Sequence, residues 1–133
     1  MEKAGVHTVV LCAKEVIREL EVTGANFGNV QVLKAPSIDA DDAPPPEHWI
    51  AGWHAAAKRA AELSQAGHRV LVTCKAGLNR SGVVSALAIH YITGWSGDKC
   101  AKIVQGARSG SLFNQMFLEY LNGIPETTGP VQP

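Results

Sequence analysis

The most constraining feature of the sequence is the segment 81–92 (SGVVSALAIHYI), which has helical character and is apolar almost all round. A helix without a polar face has no side to turn to water, so this pattern predicts a helix buried at the centre of the molecule. A β-branched run at 69–73 (RVLVT) precedes it, and similar runs lie at 7–12 (HTVVLC) and 30–33 (VQVL). Such near-continuous apolar runs are typical of strands in a sheet that is covered on both faces.

Apolar residues at helical spacing predict three further helices. The first follows a loop at 35–46 and ends at Gly67, the second is capped by Ser96 or Asp98, and the third is capped by Asn114. Their buried faces are predicted to be Trp49, Trp53, Ala56, Ala60 and Leu63; Cys100, Ile103, Val104 and Ala107; and Met116, Phe117, Tyr120 and Leu121. Strands that alternate with helices predict an α/β fold: one domain with a short, mostly parallel central sheet flanked by helices.

A chain of 133 residues allows one domain with a substantial core. We expect this domain to cover residues 1–123 and residues 124–133 to form a flexible C-terminal tail. Basic and acidic residues are equal in number, so the net charge is zero, which weighs against bulk binding of nucleic acid without excluding it. No apolar run is long enough to span a bilayer and the N-terminus does not resemble a signal peptide, so a cytoplasmic location is expected. The oligomeric state stays open.

The chemistry is concentrated in the segment 74–81, where five residues separate Cys74 from Arg80. That spacing lets the backbone curl into a ring of inward-pointing N–H groups, which is a site for an anion, and Gly77 permits the curl. The following helix adds the positive end of its dipole, and a guanidinium fits two phosphate oxygens. The residues predicted to bind phosphate are Lys75, Ala76, Gly77, Leu78, Asn79 and Arg80.

The same surroundings act on the sulfur of Cys74. Backbone amides, a helix N-terminus and an arginine lower the pKa of a thiol to about 3.5–7.5, so Cys74 is expected to be a thiolate that can attack phosphorus. An isolated cysteine and arginine at this spacing would more simply be a strand end and a surface residue. Here the strand, the glycine, the arginine, the hydroxyl of Ser81 and the buried helix occur in order, which favours a phosphate-binding loop.

These residues resemble the signature of the cysteine-dependent dual-specificity and tyrosine phosphatases. The signature lies in VLVTCKAGLNRSG, with weaker matches in AGVHTVVLCA and ARSGSLFNQMFLEYL, so the resemblance covers nearly the whole chain. It implies that Cys74 forms a phosphocysteine, that Arg80 holds the phosphoryl oxygens, and that Ser81 hydrogen-bonds the sulfur. No metal or cofactor is expected, because the loop and Arg80 already neutralise the phosphate. The substrate would be a phosphorylated protein or another phosphoester.

The family also uses an aspartate on a loop as general acid. Asp39, Asp41 and Asp42 compete for this role in SIDADDAPPP. We select Asp42 first and Asp41 second, because family members place the acid after a short I-x-A-x-D run and ahead of an inward aromatic, here Trp49 or Trp53.

Two features depart from the family pattern. Thr73 stands where a histidine usually precedes the cysteine and helps to brace the loop. The family also begins with a further strand or hairpin that this sequence lacks before Met1, so we expect a sheet that is short at one edge or a true start that lies upstream.

Several functions stay open. The leading hypothesis is a phosphatase acting on phosphotyrosine, with phosphoserine and phosphothreonine as further substrates. GLNRSG also resembles the G-x-N-R-T-G run of RNA 5′-triphosphatases, although the neutral net charge weighs against RNA. A lysine directly after the cysteine, here Lys75, resembles the loop of phosphoinositide phosphatases. In another class, an inactive module would bind phosphorylated partners without turnover, but the intact Cys74 and Arg80 argue against it. A sulfurtransferase ranks lowest, because its loop usually differs in length by one residue.

The remaining candidates are expected to be structural. Cys12 and Cys100 should lie in the core, and Arg108 should face solvent, with the rim of the site as its alternative. Asn114 either caps the last helix or braces the phosphate loop. His54 lies six residues from the nearest histidine on its helix, the wrong spacing for a shared metal.

Overall fold

The computed structural model describes residues 8–13, 17–18, 31–37, 43–73, 79–108 and 111–127. Within them the chain forms, in order, β1 (Thr8–Ala13), β2 (Gln31–Ser37), α1 (Glu47–Gln65), β3 (Val70–Thr73), α2 (Asn79–Thr93), α3 (Gly97–Ala107) and α4 (Gln115–Asn122). The three strands form one parallel sheet in the order β2-β1-β3. The predicted α/β fold, with a short parallel sheet flanked by helices, is confirmed.

Strand β1 is the centre of the sheet, because it pairs with both other strands. Its alternate side chains enter two separate apolar clusters. Val10 and Cys12 join the main core with the helices, whereas Val9 and Leu11 pack with Ile17 on the opposite face. Both faces of β1 are therefore covered, which explains why its sequence is a continuous apolar run rather than an alternating one.

Helix α2 is the buried centre of the domain, as its sequence predicts. It contacts α1, α3 and α4 as well as β1 and β3. Val83, Val84 and Leu87 are fully buried along its length. Only five residues separate the end of β3 from the start of α2, so the N-terminus of α2 lies near the carboxyl edge of the parallel sheet, where ligand sites of open α/β folds occur.

The helix ends follow local signals in the sequence. Gly67 ends α1 in the left-handed region (φ 92°), where a side chain would be strained. Ser96, rather than Asp98, caps α3, since its hydroxyl accepts a hydrogen bond from the N–H of Lys99 at 3.2 Å. The side-chain oxygen of Asn114 accepts hydrogen bonds from the backbone N–H groups two and three residues later, which confirms it as the cap of α4.

One predicted boundary is wrong. Residues 35–37 belong to β2, although the proline and acidic residues that follow led us to predict a loop from residue 35. Pairing with β1 continues past an irregularity in register to the pair Ala13 and Ser37. Ala35 is fully buried against the core, and this burial extends the strand.

The inward face of α3 also differs from the predicted stripe. It runs through Gly97, Cys100, Ala101 and Val104. The inward face is therefore rotated about the helix axis, so that Gly97 and Ala101 take the places predicted for Ile103 and Ala107. Ile103 is 37% exposed, and Ala107 is exposed as well. The rotation arises because Gly97 lies against the backbone carbonyl of Leu121, an approach that leaves no room for a Cβ.

The chain packs beyond α4. The N–H of Gly97 donates to the carbonyl of Ile124 at 2.9 Å, and the N–H of Thr127 donates to the carbonyl of Gly94 at 2.7 Å. The domain boundary at residue 123 stays a prediction, and residues 128–133 lie outside the described residues. None of the described helices combines the length and apolarity required to cross a bilayer.

Candidate functional site

The described residues include three members of the predicted site, Asn79, Arg80 and Ser81, which together form the first turn of α2. The other predicted members lie outside the described residues, namely Cys74, Lys75, Ala76, Gly77 and Leu78 of the loop and the aspartates Asp39, Asp41 and Asp42. What the structure describes of the site is therefore the end of the loop and the helix that follows it.

Arg80 lies in the first turn of α2 and is only 4% exposed. No acidic residue occurs in that turn. The first N–H groups of a helix carry partial positive charge, and a guanidinium adds a full charge and a planar set of donors. Charge and donors thus converge at the carboxyl edge of the sheet, which is an arrangement that favours an anion.

Asn79 ties this turn to the loop between α3 and α4. Its side-chain oxygen accepts hydrogen bonds from the N–H of Phe113 at 2.7 Å and from the N–H of Asn114 at 2.9 Å. Asn79 is one of the residues predicted to bind phosphate, and its side-chain oxygen holds the neighbouring loop. Of the two roles considered for Asn114, its side chain performs the capping and its backbone N–H takes part in the bracing.

The described inner side of the loop held by Asn79 is buried and hydrogen-bonded. Leu112 is fully buried and has a left-handed backbone (φ 53°), a conformation that costs a non-glycine residue about 1–3 kcal/mol. Its carbonyl accepts a hydrogen bond from the side chain of Gln105 at 3.0 Å, and the hydroxyl of Ser111 donates to the carbonyl of Arg108 at 2.7 Å. Gly82 permits the close approach, because a Cβ there would lie 3.1 Å from the Cβ of Leu112.

A cavity of about 260 Å³ lies beside the first turn of α2. Its walls come from β3, α2, α3 and the following turn, and they are mostly apolar. The cavity is bordered by Ser81, by Ser111 and by Arg108. The side chain of Arg108 is exposed, as its sequence context predicts, and it also lies at this border.

A second polar cluster, which sequence reasoning missed, lies at the opposite end of α2. Nδ1 of His54 is 2.6 Å from the hydroxyl oxygen of Tyr91, and Nε2 is hydrogen-bonded to the hydroxyl of Tyr120. Burial lowers the pKa of His54, and the charges of Lys58 and His90 lower it further. The imidazole is therefore neutral at neutral pH, so that one ring nitrogen donates a hydrogen bond and the other accepts one.

Burial also raises the pKa of both tyrosines of this cluster, Tyr91 and Tyr120, and the Tyr91 phenol adds to the effect on Tyr120. All three side chains are thus uncharged, and they join α1, α2 and α4. Helical periodicity assigned Tyr120 to the apolar stripe of α4, and no signal in the sequence relates three residues on three different helices.

The described cysteines lie in the core, as predicted. Cys12 and Cys100 are fully buried, and burial raises the pKa of the Cys100 thiol. A thiol with a raised pKa stays protonated, and it is therefore not an activated nucleophile. Within residues 8–127, apart from the segments without a described position, no three His, Cys, Asp or Glu side chains converge on a point where they could hold a metal ion.

Comparisons with known proteins identify the fold. No protein-family model matches the sequence, and no curated protein matches it significantly. Human DUSP28 is 22% identical, with 90% of this chain and 74% of that chain covered at a TM-score of 0.68. Tk-PTP in its active form is 24% identical, with 90% of this chain and 80% of that chain covered at a TM-score of 0.65. PTPMT1 in complex with PI(5)P is 22% identical, with 88% of this chain and 74% of that chain covered at a TM-score of 0.67. The chain therefore has the fold of the dual-specificity phosphatases.

Proposed function

We propose that the chain is a cysteine-dependent phosphatase that hydrolyses phosphomonoesters through a phosphocysteine on Cys74. The observation that carries the proposal is the position of Arg80, buried in the first turn of the central helix at the carboxyl edge of a parallel sheet. A helix N-terminus and a guanidinium together favour a dianion at that point. The fold, shared with dual-specificity phosphatases, supports the same conclusion.

In the proposed reaction, the thiolate of Cys74 attacks phosphorus while the bond from phosphorus to the leaving oxygen breaks. Asp42 protonates that oxygen, with Asp41 and Asp39 as the alternative acids. Water then attacks the phosphocysteine, the same carboxylate takes up a proton from the water, and inorganic phosphate leaves as the thiolate is restored. Arg80 holds the phosphoryl oxygens through both steps, and Ser81 donates a hydrogen bond to the departing sulfur.

The experiment that tests the proposal is hydrolysis of p-nitrophenyl phosphate across pH without added metal. Cys74→Ser is expected to abolish turnover, and Asp42→Asn is expected to alter the pH profile by removing the group that protonates the leaving oxygen. Asp41→Asn is the matched control, since it removes the same charge from the neighbouring position. If the intact protein binds vanadate or phosphate but turns over no phosphoester, the phosphatase proposal fails and a binding module replaces it.

A second candidate within the same mechanism is hydrolysis of phosphoinositides. It is favoured by the likeness to PTPMT1, which was solved with PI(5)P, and by the position of Lys75 directly after Cys74. On this hypothesis, Lys75→Ala lowers kcat/KM for PI(5)P more than for a phosphotyrosine peptide. An equal decrease for both substrates would favour the protein phosphatase.

A further inference from the structure

The cavity of about 260 Å³ between α2 and α3 has a wall built from described residues. It is large enough for an organic ligand, since an apolar cavity of about 150 Å³ in another protein binds benzene. Ile103 lines the cavity and is 37% exposed, so a ligand can reach it from solvent. The apolar part of the wall consists of Val72, Gly82, Ile89, Ile103, Val104 and Ala107.

The cavity is polar at one end and apolar at the other. Helices α2 and α3 run in opposite directions, because residues 94–96 join them directly and the first turn of α2 is hydrogen-bonded to the loop after α3. The end beside the start of α2 is therefore bordered by Ser81, Arg108 and Ser111. Ile89 and Ile103 line the cavity further along the two helices. Such a gradient matches a molecule with a polar head and an aliphatic tail.

The charge of the wall indicates the charge of that head. Arg108 is exposed, and within the described part of the chain no carboxylate forms an ion pair with its guanidinium. The residues described along the wall include no aspartate or glutamate, so their formal charge is positive. A carboxylate matches this charge, and its two oxygens match the planar donors of a guanidinium.

We propose that this cavity binds a medium-chain aliphatic carboxylate, with the carboxylate at Arg108 and the chain between α2 and α3. The inference goes beyond the proposed function and does not depend on it, because this ligand is held outside the loop that precedes α2. The aliphatic chain contributes most of the affinity by leaving water, and Arg108 selects an anionic head over a neutral one.

The first test is calorimetric binding of butyrate, hexanoate and octanoate to the intact protein at neutral pH, with octanol as the uncharged analogue. Each methylene that enters the cavity is expected to raise the affinity about fourfold, so affinity should increase along the series. Arg108→Gln should weaken octanoate about two- to fivefold and leave octanol unchanged. The matched control is Lys102→Gln, which removes a positive charge that α3 pairs with Asp98 away from the cavity, and it should change neither affinity.

A second variant fills the cavity. Ala107 lines it and is exposed, so a larger side chain at this position can occupy the space without entering the core. Ala107→Phe is expected to abolish octanoate binding while the thermal midpoint stays close to that of the wild type. Octanoate binding that survives both Ala107→Phe and Arg108→Gln would place the ligand elsewhere and overturn the proposal.

Two further outcomes would also overturn it. One is equal affinity for butyrate and octanoate, which would show that the apolar part of the cavity is not used. The other is displacement of octanoate by saturating inorganic phosphate, which would show that the carboxylate occupies the proposed phosphate site. The two proposals fail separately: a protein that hydrolyses p-nitrophenyl phosphate without binding octanoate refutes this inference alone, and one that binds octanoate without hydrolysing phosphoesters refutes the proposed function alone.

Discussion

Helix α2 buries polar side chains at both of its ends, and the two ends are built differently. At the N-terminal end, Asn79, Arg80 and Ser81 are all buried, and the side-chain oxygen of Asn79 accepts two backbone N–H groups of the next loop. At the C-terminal end, Tyr91 is buried and its hydroxyl meets an imidazole of α1, that of His54.

The difference shows that burial of polar groups does not by itself mark a functional site. At the C-terminal end, hydroxyls and an imidazole supply donors and acceptors that satisfy one another, and the cluster is neutral. At the N-terminal end, helix N–H groups and a guanidinium supply donors and positive charge, which an anion complements. We therefore expect function at the end that buries a positive charge beside helix N–H groups, and a structural role at the end whose buried groups are neutral.

The largest effect expected from this comparison is the loss of activity in Arg80→Lys. A lysine keeps the charge but cannot present the planar donor fork, so kcat for p-nitrophenyl phosphate should fall about 10²–10³-fold. The thermal midpoint should stay close to that of the wild type. Steady-state kinetics and thermal unfolding of the same preparation measure both effects. If the variant unfolds in proportion to its loss of activity, the N-terminal end is a structural element and the contrast between the two ends disappears.

A smaller effect is expected for Asn79→Ala, which leaves the N–H groups of Phe113 and Asn114 without their acceptor. The free energy of unfolding should fall by about 1–3 kcal/mol, as measured by urea denaturation.

Asn79→Asp separates the two contributions of this position. The carboxylate still accepts both hydrogen bonds and should restore much of the stability, but its charge opposes a bound phosphate, so activity should stay low. Recovery of activity together with stability would show that Asn79 acts only as a brace.

At the other end of α2, His54→Ala should reduce stability and spare catalysis. The hydroxyls of Tyr91 and Tyr120 lose a partner but can turn to water, so we expect a decrease of about 1 kcal/mol in the free energy of unfolding. The kcat for p-nitrophenyl phosphate should not change. Tyr120→Phe, which deletes only a hydroxyl, is the matched control. A fall in kcat without a fall in stability would contradict the structural role of this cluster.

The smallest effect is a dependence of stability on pH. The pKa of His54 lies below its ordinary value of 6.5 in the folded protein. Burial is the main cause, and the charges of Lys58 on α1 and His90 on α2 lower the pKa further. The uncharged Tyr91 and Tyr120 face His54 from α2 and α4. The unfolded chain therefore takes up a proton first as the pH falls, so the contribution of His54 to stability is present above pH 6.5 and is lost below it.

Urea denaturation of the wild type and of His54→Gln between pH 5 and 8 isolates this contribution, because a histidine side chain titrates in that range. The free energy of unfolding of the wild type should fall relative to that of the variant on the acidic side of pH 6.5. A difference between the two proteins that stays constant with pH would show that His54 does not titrate differently in the folded and unfolded states.

Within the proposed site, the sequence already contained most of what we infer. The spacing of Cys74 and Arg80, with a glycine between them and a buried helix behind them, predicted an anion loop, and the described part places Arg80 and Ser81 in the first turn of α2. The nucleophile Cys74 and the choice among the aspartates stay predictions, because those residues lie outside the described part of the chain.

By itself the sequence determined the features that depend on neighbours along the chain. The apolar runs predicted the sheet, the apolar segment at 81–92 predicted the central helix, and Gly67, Ser96 and Asn114 predicted helix ends. These features are readable because strand and helix periods and caps involve residues within a few positions of one another.

Only the tertiary structure decided which distant side chains meet. Asn79 and Phe113 are 34 residues apart, and His54 and Tyr120 are 66 residues apart. The rotated inward face of α3 likewise depends on how closely Gly97 approaches α4. Such contacts leave no periodic pattern in the sequence, since they arise from the angle and distance at which whole elements pack. The brace beneath the proposed site and the neutral cluster at the far end of α2 are therefore properties of the assembled fold.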